Sequence, residues 1–391
     1  MRFKLFLGLL LAWPLSAFSA QQKVNSRYQK TFNEISGLIQ TFYRDDASAL
    51  KDWETFVPQF EAILPKLTEP SSFTLNLNRA LARLGHADPA LIHHTEPSFW
   101  LHRLPDPKGE AKPYYFGAWF ERRGRHWYVL DVFPGSPAEK AGLLRGDEML
   151  KLEGQEFQPI LLTEHKADRR SFRITWRRDP LEASKESEIQ PIPAKFDEAF
   201  AELILAQSKV ENIDGKRIAY LRLPAMRSSW LVSFQQSLQK VMEEADSLIL
   251  DLRHGHSGRD AGFLPLFFTD KAGKDSSFAK FATKNPIFIL VDHTTKEGLE
   301  WLAYLLREEY GATLLGEPTA GQTFQTEEVL LKSDHYLLRF YRADPQVENG
   351  PRLGMPLTVD HKLQAPLVYA RGKDEVLEQS FQFVRKQLIS R

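Results

Sequence analysis

Residues Asn285 to Gln325 read NPIFILVDHTTKEGLEWLAYLLREEYGATLLGEPTAGQTFQ. Pro286 to Asp292 is a short run of mainly branched and aromatic apolar residues, the pattern of a buried strand. After a turn at His293 and Thr294, apolar residues recur at Leu299, Leu302, Leu305 and Leu306, a helical period that stops at Gly311. A second apolar strand, Ala312 to Leu315, then feeds the Gly/Pro-rich turn GEPTAGQ. Strand, helix, strand and loop make one βαβ-like unit, so a layered α/β core is expected.

The segment resembles the core of the carboxyl-terminal-processing (tail-specific) serine peptidases, where an LVN or LVD strand leads into a SASASE turn, a helix and GEPTFGKG. The residues that carry the resemblance are Val291-Asp292, Glu300 and Gly316-Glu317-Pro318-Thr319-Ala320-Gly321. In that family the middle Ser of the turn is the nucleophile and the Lys of GKG is its general base. Laid on the pattern without gaps, this chain has Glu297 at the nucleophile position and Gln322 at the base position.

A Ser/Lys pair works because an amine whose pKa is lowered by burial and nearby positive dipoles deprotonates a hydroxyl. Gln322 cannot take a proton at physiological pH, and Glu297 is a poor nucleophile for an amide. Thr294-x-x-Glu297 reads instead as a capping box, in which hydroxyl and carboxylate each satisfy a free N–H of the first helical turn.

The whole sequence has 391 residues, 42% apolar and 26% charged, enough for two or three domains. Its first twenty, MRFKLFLGLLLAWPLSAFSA, place Arg2 and Lys4 ahead of an apolar run from Leu5 to Leu15, and Ala17 and Ser19 suit cleavage after Ser19 or Ala20. The run is short for a membrane span, so residues 1–20 are expected to be a signal peptide and the protein to be exported, periplasmic or secreted, most simply to a bacterial periplasm. Without that segment 49 Lys plus Arg face 51 Asp plus Glu, which gives no electrostatic reason to expect nucleic acid or an anionic membrane as partner. There is no cysteine, which excludes disulfides, a thiol nucleophile and a lipid-modified Cys.

Residues 23–110 are expected to form an N-terminal helical region. Phe32, Ile35, Leu38, Ile39 and Phe42 share one face; Trp53, Phe56, Phe60, Ile63 and Leu64 form a second segment; Leu75, Leu77, Leu81 and Leu84 form a third that ends at Gly85. The family's N-terminal helices finish in a phrase of the form LGDSHT, and here Leu84-Gly85-His86-Ala87-Asp88-Pro89 stands in its place. Asp88 occupies the position of the His that acts as base in some branches, and His86 reads as a C-terminal capping cation.

Residues 113–180 resemble a bacterial PDZ domain, on the phrase Val132-Phe133-Pro134-Gly135-Ser136-Pro137-Ala138-Glu139-Lys140-Ala141-Gly142-Leu143 and its continuation through Gly146-Asp147 to Leu152. Such a module binds a peptide as an added strand, with the terminal carboxylate held by backbone N–H groups of a Gly-containing loop. The resemblance assigns that loop to Tyr115, Phe116, Gly117 and Ala118, and the receiving strand to Ala118 and Phe120, alternating with Trp119. A PDZ that serves only as an internal spacer is the competing reading.

Residues 181–391 are expected to be the peptidase-like core, with the polar Leu181–Pro193 as a connector. Arg217 to Pro224 resembles the family's opening core strand, a helix is expected from Trp230 to Glu244, and Ser247 to Arg253 resembles its LILDLR strand. In the family an NNPGG turn follows and its backbone amides help form the oxyanion hole. Here the turn is His254-Gly255-His256-Ser257-Gly258, so the oxyanion-like backbone falls on Ser257, Gly258 and Gly298. Ser257, flanked by His254 and His256, is the remaining candidate nucleophile, as Gly255-x-Ser257 follows a strand somewhat as in a nucleophile elbow. Val329 to Phe340 reads as paired strands, and Asp374 to Leu388 as an amphipathic helix.

No metal-ligand spacing, phosphate loop or dinucleotide fingerprint occurs, so no metal and no cofactor is implied. The expected fold class is multidomain α/β: a helical region, a PDZ-like β-rich module and a layered α/β peptidase-like core. The expected function is that of a pseudopeptidase that binds peptide or protein C-termini, as an adaptor or as a regulator of an active protease or other envelope protein. Two alternatives stand beside it: an active serine peptidase using Ser257 with His254, His256 or His86, and a structural envelope protein whose PDZ is inert.

Overall fold

The computed structural model describes residues 15–84, 89–93, 114–159, 171–193, 206–255, 261–268, 273–322, 325–333, 335–342 and 355–390. They fall into two compact units, one made of the chain up to His93 with Val329–Arg339, the other of His94–Glu328 with Phe340–Arg391.

The first unit opens with α1 (Leu15–Phe42), α2 (Ala47–Ile63) and α3 (Pro70–Leu81), followed by strand β1 (Ala90–His93). The helices meet through an aromatic core: Tyr28 stacks on Phe73 at 4.6 Å between centroids, and Phe32 lies 4.7 Å from Phe60. Trp53 and Leu64 are buried as their spacing implies, but the inward residue after Ile39 is Tyr43, one position past the exposed Phe42. Leu75, 54% exposed, lies off the buried face of α3 that carries Leu77 and Leu81. β1 falls in a stretch expected to be helical. Its four residues are too short to show a period, and they are fixed from outside, where the Asn78 amide donates to the Leu91 carbonyl and accepts from the Leu91 N–H.

The second unit begins with a β-rich part: β2 (Tyr114–Tyr115), β3 (Ala118–Arg123), β4 (His126–Val132), the short helix α4 (Pro137–Lys140), β5 (Glu148–Leu152), β6 (Gln155–Glu156), β7 (Phe172–Arg177), β8 (Lys185–Ile189) and β9 (Ile192–Pro193). The sheet order is β3-β4-β5-β7-β8, antiparallel throughout, with β6 paired to β5 and β2 to β9. Val129, Leu152, Phe157, Phe172 and Ile174 fill its core. The connector expected over Leu181–Pro193 is corrected here, since Lys185–Ile189 pairs with β7. Of β8's five residues only Ile189 is buried, so its polar alternation reads as linker although it is an edge strand.

The rest of the unit is β10 (Lys209–Ile213), β11 (Lys216–Arg222), α5 (Leu231–Glu244), β12 (Ser247–Asp251), α6 (Leu264–Phe267), α7 (Ser277–Ala282), β13 (Ile287–Val291), α8 (Glu297–Tyr310), β14 (Thr313–Gly316), and, after β15 (Gln325–Leu330) and β16 (Tyr336–Arg342), which carry the Val329–Arg339 stretch of the first unit, β17 (His361–Lys362) and α9 (Glu375–Ile389). β15 and β16 extend from β1 in a three-stranded sheet ordered β1-β16-β15. The central sheet runs β10-β11-β12-β13-β14-β17, parallel from β11 onward with β10 antiparallel at its edge.

A parallel sheet must be covered on both faces, and its strands alternate accordingly. Leu221, Leu250, Ile289 and Leu314 pack toward Phe234, Leu302 and Leu306, whereas Tyr220, Ile249, Leu290 and Leu315 pack toward Phe381 and Val384. The core is thus three layers, with α5 and α8 on one face and α9 on the other. Helix α8 stops where Gly311 takes a left-handed backbone (φ 62°) and its N–H returns to the Arg307 carbonyl.

Candidate functional site

The carboxyl ends of β12, β13 and β14 converge on a small set of buried polar groups. Asp292, just past β13, is buried and anchors two loops at once. One carboxylate oxygen accepts from the N–H groups of Thr294 and Thr295, each at 3.0 Å, and from the Thr294 hydroxyl at 2.7 Å. The other meets His254 Nδ1 at 2.8 Å, and the His254 N–H approaches at 3.2 Å. Burial works to raise the Asp292 pKa, but His254 and the threonine donors outweigh it and hold the carboxyl far below the usual range. His254 has a left-handed backbone (φ 54°), and its other ring nitrogen, Nε2, is buried without a hydrogen-bond partner among the described residues.

Helix α8 begins at Glu297, only 3% exposed, and here the capping-box expectation is corrected. The N-cap is Lys296, with no side-chain cap bond, while the Thr294 hydroxyl is taken by Asp292. Asp292 offers a charged acceptor two residues away, which outcompetes the helix end for that hydroxyl. Glu297 itself has φ +55°, a left-handed conformation that a non-glycine residue adopts only when its surroundings impose it.

What imposes it is the loop after β14. The Glu297 N–H donates to the Gln322 carbonyl at 2.5 Å, so the two positions singled out from the sequence lie against one another. The loop is held by Glu300, fully buried one turn into α8, which accepts from the N–H groups of Gly321 at 2.9 Å and Gln322 at 2.7 Å and from the Thr319 hydroxyl. Thr319 in turn accepts the Leu357 N–H at 2.7 Å. Burial raises the Glu300 pKa, and these donors only partly offset it. A Cβ at Gly321 would lie 2.8 Å from the Pro356 nitrogen, and one at Gly316 2.1 Å from the Val291 carbonyl, so both glycines allow close backbone approach where the loop leaves the sheet.

Gly298 occupies the first turn of α8, where a helix leaves N–H groups without an intrahelical partner. His256, Ser257 and Gly258, like His86 and Asp88, lie outside the described residues. Sequence reasoning did not single out Asp292 as the partner of His254. Their contact spans two loops, and the only local signal was the Asp-x-Thr-Thr turn. Glu297 and Gln322 offer a carboxylate and an amide, and neither can play the hydroxyl or the amine of a Ser/Lys pair. Among the described residues no group of three His, Asp or Glu side chains is placed to hold a metal ion, and no helix is long and apolar enough to cross a membrane.

The second candidate surface is β3. It pairs only with β4, so its other edge is open among the described residues. In the preceding turn the Phe116 and Gly117 carbonyls accept from Ala138 and Phe133, while among the described residues neither N–H makes a hydrogen bond. Phe116 is buried against Phe172, and Ala118 and Phe120 are half-buried, with Phe120 5.0 Å from Phe157. With φ 77°, Gly117 also lies close to the cap of α4, where a Cβ on it would come 2.0 Å from that of Ser136. Trp119 points to the opposite side, and a register shift separates it from Phe120.

Residues 217–344 match the sequence model of peptidase family S41. A carboxyl-terminal-processing protease of Synechocystis sp. is 29% identical over 214 residues, which is 50% of this chain and 49% of the relative. One of Picosynechococcus sp. is 26% identical over 212 residues, 50% of this chain and 51% of the relative. The match thus spans about half the length of these curated relatives. The solved structure of a photosystem II D1 C-terminal processing protease covers 89% of this chain, and 98% of its own, with a TM-score of 0.51 at 18% identity, a likeness of fold alone.

Proposed function

We propose, from the premise that residues 217–344 of this chain are a peptidase family S41 domain related to the carboxyl-terminal-processing proteases, that the protein is an exported pseudopeptidase. It recognises peptide or protein C-termini without cutting them, as an adaptor or as a regulator of an active protease. The observation that carries this reading is the contact between Glu297 and Gln322: the places of nucleophile and base adjoin, with a strained backbone at the first, but hold no hydroxyl and no amine. Recognition is assigned to the β-rich part as a PDZ-like module. The open edge of β3 and the unengaged N–H groups of Phe116 and Gly117 supply the strand partner and the carboxylate donors that such binding needs.

The test is fluorescence anisotropy with a labelled peptide ending in apolar residues, offered as the free acid and as the C-terminal amide. Saturable binding of the acid, weakened at least about tenfold by amidation, is expected when a charged carboxylate is held by backbone donors. Equal binding of both, or none, contradicts the recognition part.

A second reading, an active serine peptidase using Ser257, is favoured by one observation. The His254 ring is oriented by Asp292 through Nδ1 and leaves Nε2 without a partner among the described residues, the orienting half of a Ser-His-Asp arrangement. Labelling by a fluorophosphonate that is lost in Ser257→Ala supports it; absence of labelling dismisses it.

A further inference from the structure

The two ends of strand β3 differ in chemistry. At its start the unengaged N–H groups of Phe116 and Gly117 adjoin the half-buried Ala118 and Phe120. At its far end the sequence Arg122-Arg123-Gly124-Arg125 places three arginines close together, all exposed. The hairpin to β4 is closed by the pair Arg123 and His126, so Gly124 and Arg125 form a two-residue turn and Arg125 stays at the end of the strand.

Not all of these cations are paired. The Arg123 guanidinium meets Glu121 at 2.7 Å, and His126 Nδ1 meets Glu148 at 2.8 Å, a carboxylate that Arg177 also holds. Arg122 and Arg125 make no ion pair among the described residues. Alternation along β3 puts Arg122 on the same face as Ala118 and Phe120, because the extra residue at the register shift, Leu130, belongs to β4 and not to β3.

A strand added at the open edge with its carboxylate at Phe116 and Gly117 must run antiparallel to β3. With its terminal residue beside Ala118, the residue about four places upstream lies beside Arg122, because both strands advance by about 3.3 Å per residue. Side chains opposite one another in such a pair share a face, with Cβ atoms roughly 5 Å apart. We infer that the β3 edge selects peptides with an apolar C-terminus that carry acidic residues about three to five places before it, held by Arg122 and Arg125. The inference rests on the proposed reading of the β-rich part as a PDZ-like module and names the class of partner that module takes.

Fluorescence anisotropy of the full chain tests this with three labelled peptides of one length and one apolar free terminus, which carry Asp, Ser or Lys at the third to fifth places before it. The Asp peptide should bind about fivefold more tightly than the Ser peptide, the scale of two exposed ion pairs, and the Lys peptide should bind most weakly. About 0.5 M NaCl should remove most of the difference, because exposed pairs are screened. Arg122→Glu combined with Arg125→Glu should reverse the order; if that variant fails to fold, the salt titration of the unaltered chain decides alone. Equal binding of all three peptides leaves carboxylate recognition standing but overturns this inference, and the arginines then serve only to keep an open edge from pairing with another copy. A preference that survives salt or the double variant overturns it as well. Binding of no peptide overturns it together with the reading of the module.

Discussion

Glu297 holds a left-handed backbone with its N–H on the Gln322 carbonyl, a conformation that costs about 1–3 kcal/mol in a non-glycine residue. The proposed reading, a site altered in its chemistry and not in its scaffold, is tested at these two positions. On that reading the double substitution Glu297→Ser with Gln322→Lys should gain reactivity toward a fluorophosphonate relative to the unaltered chain, read as a labelled band on a gel. No labelling of a folded double variant would mean that the scaffold has lost more than two side chains. Asp292 makes a second prediction at this scale. Its folded pKa lies far below the unfolded value of about 3.9, so its contribution is complete above that pH and drains away as pH falls below it. Urea unfolding between pH 6 and 2, a range set about that carboxylate pKa, should show stability falling with acidification. Asp292→Asn should flatten the slope as well as lower the plateau; an unchanged slope would exclude Asp292 as a source.

At the scale of elements, α9 is joined to the sheet through its own N-cap. Asp374 accepts the Leu377 N–H at 3.1 Å and holds the buried Arg253, which is shared with Asp251. Asp374→Ala removes a cap and half-breaks a buried ion pair, so a loss of about 3 kcal/mol is expected in denaturant unfolding; a loss under about 1 kcal/mol, the scale of the cap alone, would show that Asp251 suffices. The elements also show what sequence can and cannot convey. β13, α8 and β14 are legible because one unbroken apolar run, one helical period and a stop at Gly311 each point to a single structure. β8 is hidden because an edge strand with one buried residue has no apolar alternation to display. The Thr294-x-x-Glu297 box is misread because the competing acceptor, Asp292, lies two residues before Thr294 and takes its hydroxyl, a contact that the apolar and capping patterns do not display. Glu300 shows the same limit, since its match to the family phrase gives a position, while its burial beneath Thr319, Gly321 and Gln322 comes from the fold.

Across the second unit, the β-rich part is joined to the core by contacts with the segment before α9. Tyr369 donates its hydroxyl to Glu148 at 2.5 Å, beside Arg177, and Arg371 pairs with Asp179. Gly146 packs so closely that a Cβ would lie 2.2 Å from the Ala370 nitrogen. Gly146→Ala, strained also by its φ of 88°, should loosen this join by about 2 kcal/mol. Hydrogen exchange should then accelerate in β5 and in residues 367–374 together; acceleration in β5 alone would mean that the two parts are not coupled there.

The most direct measurement is intact-mass spectrometry of a peptide with an apolar free C-terminus, incubated to saturation with the full chain. We predict that the peptide is recovered whole while bound. Accumulation of truncated products that disappears in Ser257→Ala would contradict the account.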